Sequence, residues 1–137
     1  MNNTGLKWVL LVDDDGTSNM LNKLFIKRLI PDLVIDTVID GYRALDFIEA
    51  NIKEIIGKSF LLILDIEMPK MDGWQFLQAF NILFTTEEKE KITIVVLTAN
   101  GSEEVTYRAL SHPQVKECLY KPLSDINFRN IIQTYFT

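Results

Sequence analysis

Acidic, hydroxyl and amino side chains directly follow four short apolar runs of this sequence. They are Asp13, Asp14 and Asp15 after the first run, Asp65 after the third, Thr98 after the fourth and Lys121 after the fifth. Carboxylates that share one crevice repel each other, and a hard divalent cation among them relieves that repulsion. Oxygen ligands with open positions suit Mg²⁺, which keeps several waters and shares its coordination sphere with a phosphate. The pattern therefore indicates phosphate chemistry that depends on magnesium.

A carboxylate beside such a cation can accept a phosphoryl group and become an aspartyl phosphate. The transfer needs positive charge around the phosphoryl oxygens, and Lys121 together with the metal would supply it. The Thr98 hydroxyl would donate a hydrogen bond to one of these oxygens, and the small Ala99 would leave room for it. Asp15 precedes Gly16, and we interpret it as a helix cap or turn former.

The elements that must position these residues alternate along the chain between short apolar runs and longer amphipathic ones. Strands are predicted at 7–12, 33–39, 60–64, 92–97 and 117–120, and helices at 17–30, 41–56, 74–84, from Ser102 to before Pro113, and after Ser124. This alternation predicts an α/β fold with a parallel sheet covered on both faces. Ligands of such sheets bind outside the carboxyl ends of the strands, so the polar residues should converge there.

Two local predictions concern surfaces rather than the site. In the first helix the apolar residues have the spacing of one helix face: Met20, Leu21, Leu24, Phe25 and Leu29. The charged segment 85–91 is predicted to be a loop between the third helix and the fourth strand.

Length and composition narrow the class of protein. The 137 residues fit one domain, 1–137, with an apolar fraction sufficient for a core. The net charge is −5 and Lys and Arg do not cluster, which argues against nucleic acid as a partner. The apolar runs are too short to span a bilayer, and residues 1–7 lack the pattern of a signal peptide. The single cysteine, Cys118, suits a cytoplasmic protein.

A family resemblance rests first on the run Leu62-Ile-Leu-Asp65-Ile-Glu67-Met-Pro-Lys-Met-Asp-Gly73. Together with Val12-Asp13-Asp14, Leu97-Thr98-Ala99 and Tyr120-Lys121-Pro122, it resembles the receiver domains of two-component response regulators along nearly the whole chain. The resemblance implies a flavodoxin-like fold: a five-stranded parallel sheet in the order 2-1-3-4-5, with five helices distributed over both faces.

The resemblance also implies a role for each residue at the strand ends. Asp65 would be the phosphoacceptor, Thr98 the switch hydroxyl and Lys121 the partner of the bound phosphoryl group. The implied Mg²⁺ ligands are Asp14 directly, Asp13 through water, the Asp65 carboxylate and the main-chain carbonyl of Glu67. The peptide bond between Lys121 and Pro122 is expected to be cis.

The implied partners are a sensor histidine kinase or a histidine phosphotransfer protein, a downstream protein target and, as an open option, a second copy in a homodimer. Such a protein is a signalling phosphoacceptor that catalyses only its own phosphorylation and dephosphorylation. The sequence departs from the family at Cys118, where many receivers carry an aromatic switch residue; Tyr120 stands next to the lysine instead. The chain is either a free-standing receiver or a fragment of a longer regulator.

Two alternatives remain. The segment Asp13-Asp14-Asp15-Gly16-Thr17 resembles the D-x-D-G-T motif of haloacid-dehalogenase-type phosphatases, with Asp13 as nucleophile and Asp15 as general acid. Against it, the chain after Lys121 offers only Asp125 toward the closing acidic pair, and Asp65 would have no role. The second alternative is a receiver-like interaction module that is never phosphorylated; the complete set of site residues argues against it.

Overall fold

The computed structural model describes residues 5–137, so the domain predicted over 1–137 extends to four residues outside the described part. The strands are β1 (Trp8–Val12), β2 (Val34–Val38), β3 (Phe60–Asp65), β4 (Ile92–Thr98) and β5 (Val115–Tyr120). The helices are α1 (Gly16–Leu29), α2 (Gly41–Ile55), α3 (Gly73–Leu83), α4 (Thr86–Glu90), α5 (Glu103–Leu110) and α6 (Asp125–Tyr135).

The five strands form one sheet in the order β2-β1-β3-β4-β5, with every neighbouring pair parallel. This confirms the predicted α/β class and the strand order. β1 and β3 pair from Trp8 with Phe60 to Val12 with Leu64, and β3 continues beside β4 up to Asp65 opposite Leu97. The carboxyl ends of the central strands therefore lie side by side along one edge of the sheet.

The helix count was wrong by one: part of the charged segment predicted as a loop forms α4. Its cap explains the error. Thr85 Oγ1 accepts a hydrogen bond from the Glu88 N–H, and the Glu88 carboxylate accepts one from the Thr85 N–H. This reciprocal capping box satisfies donors that a short charged segment would otherwise leave to water, and so stabilises a single helical turn.

The sheet separates two apolar cores. On one side, residues of α2, α3 and α5 pack on Leu10, Leu62 and Ile94. On the other side, residues of α1 and α6 pack on Val9 and Leu61. Alternate residues of buried central strands face opposite sides, which is why these strands are apolar throughout.

The two ends of the described chain meet at the amino edge of the sheet, opposite the carboxyl ends of the strands. The Gly5 N–H donates a hydrogen bond to the Phe136 carbonyl over 2.5 Å. Within residues 5–137, each helix is too short or too polar to cross a lipid bilayer.

Only part of the apolar face predicted for α1 packs on the sheet: Phe25 and Leu29 are partly buried against the core. Met20, Leu21 and Leu24 are more than half exposed, whereas Asn19 and Ile26 are buried. Ile26 lies seven residues after Asn19, so the two share a face of the helix. The buried face carries one polar residue where the hydrophobic pattern requires an apolar one, and a second apolar stripe lies on the solvent side. Periodicity alone therefore identified only part of the buried face.

We expect Ile26→Ala to lower the free energy of unfolding by about 2–5 kcal/mol, because it opens a cavity in a closed core. The matched change Leu24→Ala on the same helix should alter it by no more than about 0.5 kcal/mol, since that side chain is 58% exposed. Urea titration of both variants measures the difference. Equal losses would mean that the solvent-facing stripe of α1 is packed after all.

Candidate functional site

The strand ends bring together the residues that the sequence singled out. Asp13 follows β1, Asp65 ends β3, Thr98 ends β4 and Lys121 follows β5. β3 lies between β1 and β4, so Asp65 occupies the centre of the group. The parallel register alone produces this convergence, because each residue comes at the end of its strand.

Three carboxylates form the acidic part of the site. Asp13, Asp14 and Asp65 each offer a carboxylate oxygen, and these oxygens lie within 4.8 Å of one another. Asp13 is 5% exposed and Asp65 is 4% exposed, whereas Asp14 is open to solvent. Two of the three charges are therefore held close together with little access to water, which makes their repulsion costly.

Lys121 supplies the opposite charge. Its Nζ donates to Asp13 Oδ2 over 3.0 Å and lies 3.4 Å from Asp65 Oδ2. The Lys121 N–H donates to the Thr98 carbonyl over 2.9 Å, and its bond to Pro122 is cis as expected. Burial acts to lower the pKa of Lys121, but the two carboxylates outweigh it and raise that pKa above its usual value. Lys121 thus remains a cation between two buried anions.

The balance is different at Asp65. Burial and the neighbouring Asp13 charge raise the pKa of Asp65 to about 6, against the opposing effects of Lys121 and of the Glu67 N–H. The Glu67 N–H donates to Asp65 Oδ1 over 3.2 Å. One lysine therefore does not fully compensate the burial of the carboxylates and the repulsion between them. What remains appears as the raised pKa of Asp65.

Asp15 is a helix cap, as we interpreted it. Its carboxylate accepts hydrogen bonds from the Thr17 and Ser18 N–H groups at the start of α1. These backbone donors, that of Ser18 foremost, lower the pKa of Asp15. The Asp15 N–H in turn donates to Asp13 Oδ1 over 2.9 Å. The two oxygens of Asp13 are thus engaged separately, one by this backbone N–H and the other by Lys121.

Two supporting residues escaped the sequence reasoning. Buried Asn19 on α1 donates from Nδ2 to the carbonyls of Asp13 and Val38, over 2.9 and 3.2 Å, which joins the ends of β1 and β2. Gly73 begins α3, and its N–H donates to the Ile66 carbonyl over 2.8 Å. A Cβ on Gly73 would lie 2.6 Å from Ile66 Cδ1 and 2.9 Å from the Asp65 carbonyl oxygen. A polar residue on the inward face of a helix was the available signal for Asn19.

Thr98 is completely buried, and its Oγ1 accepts a hydrogen bond from the Asn100 N–H over 3.0 Å. Ala99 next to it is exposed. Glu67 is also exposed, and its N–H points to Asp65, as described above. The Glu67 carbonyl as a metal ligand stays a prediction.

The model of the response regulator receiver domain family matches residues 9–133. The chain is 32% identical over 127 residues to the "Probable methanogenesis regulatory protein FilR2" of Methanothrix harundinacea, covering 91% of this chain and 78% of that protein. It is 35% identical to a protein-glutamate methylesterase/protein-glutamine glutaminase of Nitrosomonas europaea, covering 93% of this chain but only 32% of that protein. The chain thus spans most of the first protein but only about a third of the second.

Solved structures agree with the family match. A two-component response regulator of Cytophaga hutchinsonii superposes with a TM-score of 0.80 at 25% identity, covering 93% of this chain and 95% of that one. A CheY-like response regulator receiver domain protein of Methanospirillum hungatei gives 0.70 at 25% identity, covering 94% and 93%.

The raised pKa of Asp65 makes a prediction about stability. An acid whose pKa is higher in the folded protein than in the unfolded chain holds its proton more tightly when folded, so its ionisation destabilises the fold. The wild type should therefore lose up to about 3 kcal/mol relative to Asp65→Asn as pH rises from about 4 to about 6. Unfolding of both proteins by urea in EDTA, across that range, measures the difference. If the difference in unfolding free energy between the two proteins does not change with pH, folding does not raise the pKa of Asp65.

Gly73 makes a second prediction. Gly73→Ala forces its new methyl group against Ile66 and the Asp65 backbone, and should cost about 1–3 kcal/mol of unfolding free energy. Gly16→Ala is the matched control, because nothing lies within 4 Å of its added Cβ and it also begins a helix. That control should be neutral or stabilise by up to about 1 kcal/mol. Equal behaviour of the two variants would show that α3 can move away from Asp65 freely.

Proposed function

Because this chain belongs to the response regulator receiver domain family, we propose that it accepts a phosphoryl group on Asp65 from a histidine kinase or a histidine phosphotransfer protein. One observation carries the assignment: the Lys121 ammonium lies between the buried carboxylates of Asp13 and Asp65, with Thr98 at the end of the neighbouring strand. This arrangement surrounds one carboxylate with the groups that phosphoryl transfer requires.

The choice of Asp65 rather than Asp13 as acceptor rests on their surroundings. Asp13 has one oxygen bonded to the Asp15 N–H and the other to Lys121 at 3.0 Å. Asp65 lies further from the lysine, at 3.4 Å, and occupies the central strand. A phosphoryl group on Asp65 would have the acidic residues of β1 and the Lys121 ammonium on one side and Thr98 on the other. Asp13 is not flanked by site residues in this way, because β1 is an outer one of the four strands that carry them.

The residues present fit a magnesium ion. Three carboxylates against one ammonium leave two negative charges, and the hard oxygen donors of Asp13, Asp14 and Asp65 lie close enough to share one ion. By family resemblance the carbonyl of Glu67 completes the protein ligands, with Asp13 acting through water. When bound, Mg²⁺ supplies positive charge beside the transferring phosphoryl group.

In the transfer itself, an oxygen of ionised Asp65 attacks the phosphorus of the donor's phosphohistidine. The new O–P bond forms as the P–N bond breaks, and the electron pair of that bond remains on the histidine nitrogen. Lys121 stabilises the charge on the phosphoryl oxygens, and Thr98 donates its hydroxyl hydrogen to one of them. Asp65 has to be ionised to attack; the charge of Lys121 favours that state, and a bound Mg²⁺ would favour it further.

The exposed stripe of α1 gives the donor a place to bind. A groove of about 300 Å³ runs from Leu21 and Phe25 past Pro122, with Asp13 and Lys121 at its end. Apolar surface that is exposed beside a site is typical of a protein interface. A helix that carries the phosphohistidine could cover this stripe and bring its imidazole to Asp65. We therefore assign the α1 groove to the phosphodonor protein.

The remaining parts of the proposal follow the family. Residues 1–137 form one receiver domain that acts in the cytoplasm and catalyses only its own phosphorylation and dephosphorylation. Phosphorylation alters a surface that a downstream protein, or a second copy of the chain, recognises. The expected binding partners of this chain are proteins, and neither nucleic acid nor a membrane is expected to bind it.

Incubation with acetyl phosphate and Mg²⁺, followed by mapping of the acyl phosphate by mass spectrometry, tests the proposal. The label should lie on Asp65 and fall to background in Asp65→Asn, because that change removes the nucleophile and retains the shape of the side chain. Asp46→Asn, at an exposed position of α2, is the control and should label like the wild type. A label on Asp13 would instead identify a phosphatase-like nucleophile. A folded wild type without any label would identify an unphosphorylated interaction module.

A further inference from the structure

The loop between β4 and α5, residues 99–102, is fastened to Thr98 by a relay of hydrogen bonds. The Asn100 N–H donates to Thr98 Oγ1, and the Ser102 N–H donates to Asn100 Oδ1, each over 3.0 Å. Ser102 Oγ then accepts from the Val105 N–H over 3.2 Å and caps α5. Each step fixes the next, so a displacement of Thr98 reaches the first turn of α5.

Tyr120 holds the same loop from its outer side. It ends β5, directly opposite Thr98 in the sheet, and its hydroxyl donates to the Gly101 carbonyl over 2.9 Å. Ring atoms Cε2 and Cζ lie 3.5 Å from the position of a Cβ on Gly101, so the ring rests against the loop. The side chain is nevertheless half exposed, at 50%. The hydrogen bond to Gly101 and the ring contact together hold the side chain against the loop.

Tyr120 follows two residues after Cys118, the position at which many receivers carry an aromatic switch residue. Cys118 is partly buried, and its thiol packs against the core that α5 covers. Tyr120 is two residues further along β5 and therefore points to the same side of the sheet. The aromatic ring on this face of β5 therefore lies at the end of the strand, where it reaches the loop.

The loop must move if Thr98 is to contact a phosphoryl group. Thr98 has no accessible surface, although residues 99–102 beside it are exposed. A phosphoryl oxygen can reach the Thr98 hydroxyl only after some of the protein atoms that enclose it are displaced. The exposed loop is part of this enclosure, because the Asn100 N–H contacts the Thr98 hydroxyl, and Tyr120 restrains the same loop.

We propose that Tyr120 is a positioning residue that holds the β4–α5 loop closed over Thr98 through its hydrogen bond to Gly101, and that phosphoryl binding by Thr98 releases this bond. The inference rests on the proposed function, since it requires Thr98 to bind the phosphoryl group on Asp65. Tyr120 itself contacts neither the acidic residues nor the phosphoryl group in this scheme. It sets how readily the loop opens.

Beryllofluoride with Mg²⁺, a stable substitute for the phosphoryl group, tests this on the full chain by amide chemical shifts. Tyr120→Phe keeps the ring and removes only the hydroxyl, so it should bind beryllofluoride about two- to tenfold more tightly than the wild type, the range expected for one hydrogen bond. Without beryllofluoride, the amide shifts of residues 99–105 in this variant should move part of the way toward the bound wild-type positions. Tyr107→Phe, 81% exposed on α5, is the control and should match the wild type.

The outcomes separate the two proposals. If Tyr120→Phe binds with unchanged or weaker affinity while the wild type binds normally, the tether is overturned and the phosphoacceptor role stands. If the hydroxyl only stabilises the fold, the amide shifts of Tyr120→Phe without beryllofluoride will not lie between the free and bound wild-type positions. That result would also overturn the tether. If the folded wild type does not bind beryllofluoride, the proposed function fails, and the tether has no phosphoryl group to respond to.

Discussion

The constraint on which the site depends is the repulsion between two carboxylates that the sheet forces together. Parallel pairing of β1 and β3 places Asp13 beside Asp65, and the surrounding core removes most of the water that would screen them. Lys121 reduces the cost without abolishing it, as the raised pKa of Asp65 shows. A site with this residual charge attracts cations, and a bound cation would offset the remaining repulsion.

Support for this arrangement comes largely from the backbone. The N–H groups of Asp15 and Glu67 each donate to one of the buried carboxylates, and the side chain of Asn19 connects the ends of β1 and β2. Gly73 lets α3 approach Asp65 more closely than any other residue would. The geometry is therefore fixed by the positions of loops and helix ends.

How much of this the sequence could predict depended on the kind of signal. Apolar runs followed by or ending in Asp13, Asp65, Thr98 and Lys121 were enough to predict the sheet and the convergence of the site. In a parallel sheet the residues at the carboxyl ends of neighbouring strands lie side by side, so their positions in the sequence determine their positions in space. The buried face of α1 could be predicted only in part from periodicity: Phe25 and Leu29 do pack on the core, but Asn19 occupies a core position and Leu24 lies in solvent. α4 was missed because its stability comes from reciprocal capping rather than from an apolar face. The tether of Tyr120 depends on a contact across the strand end, which no local pattern encodes.

The hydrogen bond between Gly5 and Phe136 has a topological consequence. It places the two ends of the described chain next to each other, at the edge of the sheet farthest from Asp65. A short peptide could join them without crossing the site, and new ends could be opened elsewhere in an exposed connection such as residues 57–58. A circular permutant of this kind should keep both cores and the whole acidic edge, because the order in which the strands are synthesised is not what holds them in register.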